Sequence, residues 1–145
     1  MRRFYTLFAG ALLAGSLAAG CAGGAAAEKN SLQGNWLLTG TTFGGKSMAL
    51  ATGTVPGSVV YSFTSDKLII KVPGVKSDEQ NYTIDASKKP KHLDLANGKA
   101  AIYALEGDVL KIGFNFQNGS NAPSQRPTNF DGLTVMTMTL KREKK

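Results

Sequence analysis

The sequence predicts an all-β fold for most of its length: a small antiparallel, up-and-down β-barrel of about eight strands. Three observations predict it. From Leu32 onward no window sustains a 3.6-residue apolar period, turn-forming residues recur at short spacing, and apolar and polar residues alternate within the segments between them.

Strands are expected near Asn35–Phe43, Ser58–Thr64, Lys67–Pro73, Glu79–Asp85, Lys91–Leu95, Ala100–Glu106, Val109–Phe116 and Leu133–Arg142. Ser65-Asp66, Asn97-Gly98 and Glu106-Gly107-Asp108 supply turns, because these residues tolerate positive φ or bond their own backbone. Pro73-Gly74 ends the third strand, since proline cannot donate to a ladder. Within strands, Leu68, Ile70 and Val72 oppose Lys67 and Lys71, while Tyr82 and Ile84 oppose Asn81 and Thr83. Leu93 and Leu95 oppose His92 and Asp94; Leu110, Ile112, Phe114 and Phe116 oppose Lys111 and Asn115. One dry face and one wet face per strand fits a sheet closed around a core. A two-sheet sandwich satisfies the same alternation. The long segments Gly44–Gly57 and Asn118–Asn129 are expected as loops, the first with Met48 and Leu50 folded back as a lid, the second over one barrel end.

The N-terminus carries a different signal. Arg2 and Arg3 precede an apolar run from Phe4 to Leu17, and Leu17-Ala18-Ala19-Gly20-Cys21 matches the bacterial lipobox. Residues 1–20 are therefore expected to be a lipoprotein signal peptide. Cys21 then becomes the lipidated N-terminus, and residues 21–31 a flexible tether to a barrel domain over 32–145. An uncleaved anchor is the alternative, but no basic cluster follows the apolar stretch. The expected setting is the cell envelope, on the outer membrane where Ala22 permits such sorting.

Cys21 is the only cysteine and His92 the only histidine, so neither a disulfide nor a cysteine or histidine metal cluster is available. No metal and no cofactor are expected. Without Arg2 and Arg3 the chain has 15 basic and 10 acidic residues, about +5. Much of that excess sits in Lys88-Lys89-Pro90-Lys91 and in Lys141 to Lys145, as turn tips and tails often do. Outside the cytoplasm, nucleic acid is not an expected partner.

Gly34-Asn35-Trp36 resembles the Gly-x-Trp of lipocalins, in which the Trp closes the barrel bottom and a late Arg packs across it. Arg142 shares parity with Met136, Met138 and Leu140, so it extends the inward row toward Trp36. A longer series is similar to an uncharacterised lipocalin-like domain family abundant in planctomycete bacteria and often found in exported proteins. It comprises Leu32-Gln33-Gly34-x-Trp36, Tyr82-x-x-Asp85, Ser87 to Lys91, Asp94-Leu95, Ile102-Tyr103 through Ile112, Arg126-Pro127-x-x-Phe130, and Leu140-Lys141-Arg142. The match departs at Gly113, where a cysteine is expected, and in Gly44–Gly57. The resemblance implies a fold and an envelope setting, with no activity attached.

On these grounds the chain is expected to be a monomer that binds rather than catalyses: no Gly-x-Ser-x-Gly and no acid–base pair is present. A small apolar or amphipathic ligand inside the barrel is the first reading. A protein-interaction or inhibitor module of the envelope, with a solid barrel, is the alternative. Arg126, restricted by Pro127, is the candidate for gripping an anionic group, and Phe130 is its candidate apolar neighbour or a plug.

Overall fold

Each strand pairs with the neighbour that its own hairpin supplies, and the last returns to the first. The computed structural model describes residues 22–50, 54–116 and 125–144. Residues 1–21, 51–53, 117–124 and 145 lie outside the described residues, and with them the expected signal peptide, Cys21 and parts of both expected loops. The elements are α1 (Ala22–Leu32), β1 (Gly34–Phe43), β2 (Lys46–Met48), β3 (Val60–Phe63), β4 (Lys67–Lys71), β5 (Asp78–Asp85), β6 (Lys91–Leu95), β7 (Ala100–Glu106), β8 (Val109–Asn115) and β9 (Val135–Arg142). For the eight expected strands, no boundary moves by more than two residues.

The antiparallel order β1-β3-β4-β5-β6-β7-β8-β9 closes through a β9–β1 ladder, giving an eight-stranded up-and-down barrel. Because every one of those strands has a neighbour on both sides, the sandwich alternative falls. β2 is the ninth strand, paired to Thr41–Phe43 at the far end of β1. It forms where a lid was expected. Gly44 and Gly45, with φ of 56° and 76°, make the two-residue turn whose twist suits a hairpin. Leu50 does pack against the core, whereas Met48 is exposed.

β1 carries the one irregularity of closure. Leu38 faces Leu140 and Gly40 faces Thr139, so Thr39 is an extra residue, anchored by its Oγ1 donating to the Thr139 carbonyl at 3.1 Å. An extra residue reverses which side chains point inward. Trp36 and Leu38 are inward before the bulge; Thr41 and Phe43 are inward after it, facing Met138 and Met136.

The tether expectation is corrected by α1. Residues 22–32 are helical rather than irregular, and four alanines among the first six favour that state. An 11-residue helix is marginal alone, so contacts with the barrel must hold it. Leu32 is 1% exposed and its carbonyl accepts the Trp36 indole N–H at 2.8 Å. The Glu28 carboxylate pairs with Lys91 at 2.5 Å, and Lys29 lies 5.2 Å from the centre of the Tyr82 ring. The segment is part of the fold.

Candidate functional site

The two ends of the barrel are built differently. At the end where β1 begins, Trp36 is fully buried, and the Arg142 guanidinium lies 4.1 Å from the centre of its ring. Arg142 also donates to the carbonyls of Ser31 at 2.6 Å and Gln33 at 3.0 Å, and faces Asp108 at 3.5 Å. It thereby ties the last turn of α1 to the last strand, satisfying carbonyls that a helix end leaves unpaired. The Tyr103 hydroxyl donates to Glu28 at 3.4 Å, and its pKa is raised far above the ordinary tyrosine value, first by burial and then by the Glu28 charge. Side chains and a helix cover Trp36 at this end.

Toward the other end, burial fades along the inward rows of β4, β8 and β9, whereas Leu95 on β6 and Ala101 on β7 stay buried. On β8, Leu110 and Ile112 are buried, Phe114 is partly exposed and Phe116 is 51% exposed. On β9, Leu140 is buried while Met138 and Met136 are partly exposed. On β4, Leu68 is buried and Ile70 is partly exposed, as is Val72 just beyond. Phe43 meets Phe116 edge-on at 6.4 Å, and Lys46 and Met48 continue the same face on β2. The result is an apolar mouth. Its floor contains two polar groups. Tyr61 donates its hydroxyl to the Met138 sulfur at 3.0 Å, and burial pushes its pKa up to about 12. Gln80 shares the inward face with Leu68 and Tyr82; its Nε2 donates to Asp78 at 3.2 Å, while its Oε1 is buried with no partner among the described residues.

Arg126 and Phe130 lie elsewhere. The expected loop over the barrel end has its described part, residues 125–134, strapped along the outer wall instead. Arg126 donates to the Ala101 carbonyl at 2.6 Å and pairs with Asp94 at 2.5 Å, so the carboxylate it grips belongs to the barrel itself. The Thr137 hydroxyl donates to the Phe130 carbonyl at 2.8 Å, and the Phe130 ring sits against Gly113 rather than plugging the mouth. The physical reason is an outward apolar residue, Ile102, which is 0% exposed and lies with the Phe130 ring beside Gly113. Gly113 makes room. A Cβ there would lie 3.2 Å from both Ile102 and Phe130, so the cysteine implied by the family resemblance would crowd this contact. Between strap and wall lies a polar cleft of about 230 Å³, lined by Asn115, Arg126 and Asn129 among others.

The remaining candidates are local. Asp85 accepts from the Ser87 backbone and hydroxyl, which hold its carboxyl below the usual range and fix the turn before the cis Lys89–Pro90 bond. His92 points outward opposite Asp85, and among the described residues no three His, Cys, Asp or Glu side chains converge on a metal site. No family model, no curated protein and no solved structure matches the chain.

Sequence reasoning missed Tyr61 and Gln80 as parts of a site. The signal was available for Gln80: alternation through Asp78, Gln80, Tyr82 and Ile84 puts an amide on an otherwise apolar face.

Proposed function

We propose that this chain is an exported lipoprotein, cleaved before Cys21 and lipidated there, whose barrel binds a small apolar or amphipathic ligand in its open mouth. The lipobox and the lipocalin-like residue series support the setting. α1 supports the orientation, because it begins at Ala22 and docks under the sealed end. An anchor on Cys21 then holds that end toward the membrane and turns the mouth away from it.

The single observation that carries the binding reading is the loss of burial along the inward rows of β4, β8 and β9. A soluble barrel gains nothing by exposing Phe114, Phe116, Met136 and Met138 on its interior face unless something covers them. Methionines suit such a wall, because their flexible thioethers adapt to ligand shape. The mouth is shallow, and the lower half is already filled by Trp36, Tyr103 and their neighbours. Burying about ten methylenes yields roughly 8 kcal/mol gross, and association costs at least about 4 kcal/mol of it. The net of at most about 4 kcal/mol corresponds to a Kd of about 1 mM or weaker from the apolar chain alone.

A second reading has one observation in its favour. Val55, Val75 and Leu133, on loops at the mouth end, are 66%, 64% and 87% exposed, which suits docking of an envelope protein. Displacement of a fluorescent apolar probe by twelve-carbon amphiphiles separates the readings. Saturable one-site displacement supports the ligand, while no displacement by any of them favours the protein partner. Lipidation has its own test. The intact mass of membrane-extracted protein should lack residues 1–20 and gain acyl mass, and a mass that includes Met1 would exclude it.

A further inference from the structure

The floor of the mouth holds an acceptor with nothing to accept. Gln80 Oε1 is buried and, among the described residues, has no partner. The other end of the amide must be the NH2, because it faces the Asp78 carboxylate, which only accepts. Flipping the amide would set two acceptors against each other. A buried acceptor left without a donor is costly, so its retention on an inward face calls for an occupant. Tyr61, two strands away on the same inward surface, is similarly underused, since its hydroxyl donates only to a thioether. Asp78 lies beside Ile70 at the rim and adds a negative charge to the same side of the mouth. Lys46 on β2 is a cation on the inward face at the mouth, and it lies beside Phe43 on a different sector of the wall.

We infer that the mouth selects amphiphiles whose polar head donates hydrogen bonds, an alcohol or an ammonium, and disfavours those ending in a carboxylate. The inference rests on the ligand-binding reading above. The head gives its proton to Gln80 Oε1, and a hydroxyl head also receives one from Tyr61 in place of the Met138 sulfur. A carboxylate has no proton to give at neutral pH and brings a like charge toward Asp78. The chain of the ligand lies against Phe114, Met136 and Met138.

The test compares dodecanol, dodecylamine and dodecanoate, below their aggregation limits, against the same fluorescent probe at pH 7.5. The alcohol and the amine should bind about tenfold or more tightly than the carboxylate, the ratio that one hydrogen bond of roughly 1.4 kcal/mol confers. Asp78→Asn should weaken the amine and leave the alcohol nearly unchanged, which separates the two heads. Gln80→Leu should lower alcohol affinity about tenfold while leaving dodecanoate unaffected. Because that substitution removes an unpaired buried acceptor, the variant should melt at the same temperature as the parent or higher. Equal binding of all three amphiphiles, unchanged by Gln80→Leu, would overturn the head-group selection and leave the apolar mouth standing. Failure of all three to bind the parent protein would remove the ligand reading and this inference with it. Preference for dodecanoate would show that Lys46, not Gln80, reads the head.

Discussion

The sealed end and the open mouth of this barrel use the same strands and the same alternation, yet one is core and the other is surface. The difference lies in what crosses them. At the sealed end α1 brings Leu32 under Trp36, and Arg142 bonds the backbone of the helix end while covering the indole. At the mouth, among the described residues, only Leu50 folds back over inward side chains. Alternation therefore fixes which residues face inward, but it does not fix whether the inward space is closed. Trp36, Leu110 and Leu140 are buried at one end, while Phe116 and Met48 are exposed at the other.

The largest effect should come from the sealed end. Trp36→Ala removes a fully buried aromatic and should cost about 3–5 kcal/mol, read as a lower denaturant midpoint. An unchanged midpoint would mean that the two ends do not differ in energetic weight. Arg142→Met keeps apolar bulk over the indole but strips the donors from the Ser31 and Gln33 carbonyls. It should cost about 2 kcal/mol, with loss of helical signal in far-ultraviolet circular dichroism as α1 releases. Phe114→Ala, in the partly exposed mouth, should cost less, about 1–2 kcal/mol, while weakening binding of the apolar probe. If it destabilises as much as Trp36→Ala, the mouth is core after all.

Tyr61→Phe is the smallest change at neutral pH, under about 1 kcal/mol, because the lost partner is only a thioether. Its effect is on the alkaline side. Tyr61 ionises near 10 when unfolded and near 12 when folded. Its contribution is fully present below pH 10 and is lost as pH rises from 10 through 12, by up to about 3 kcal/mol. Tyr103, raised higher still, adds to the loss in the same direction. In urea titrations across that range, Tyr61→Phe should show a shallower fall than the parent.

Much of the barrel was legible. The eight strands and their inward sets follow from period-two patterns with clear turns, and the contact of Arg142 with Trp36 follows from parity on β9. What was not legible had physical causes. The bulge at Thr39 reverses alternation within β1, and composition alone does not mark it. The Gly44-Gly45 hairpin signal was present, but β2 is only three residues long and exposed throughout, so no periodicity supported it. α1 is rich in Ala and Gly with no amphipathic pattern, because it docks through single contacts from Glu28, Lys29 and Leu32 rather than an apolar stripe. The outer strap was illegible because it depends on an outward Ile102 opposite a Gly113, a pairing across strands that no local window contains.

The central claim is that the mouth is an accessible binding surface and the opposite end is not. The chain supplies reporters for both. Three of its four methionines, Met48, Met136 and Met138, lie on the inward face at the mouth, and its one tryptophan is at the sealed end. A nuclear magnetic resonance titration with dodecanol, following methionine methyl signals and the Trp36 indole N–H, tests the claim most directly. The account predicts saturable shifts of the Met136 and Met138 methyls, a smaller shift of Met48, and a stationary indole. Stationary methyls throughout the titration, or an indole that moves with them, would contradict it.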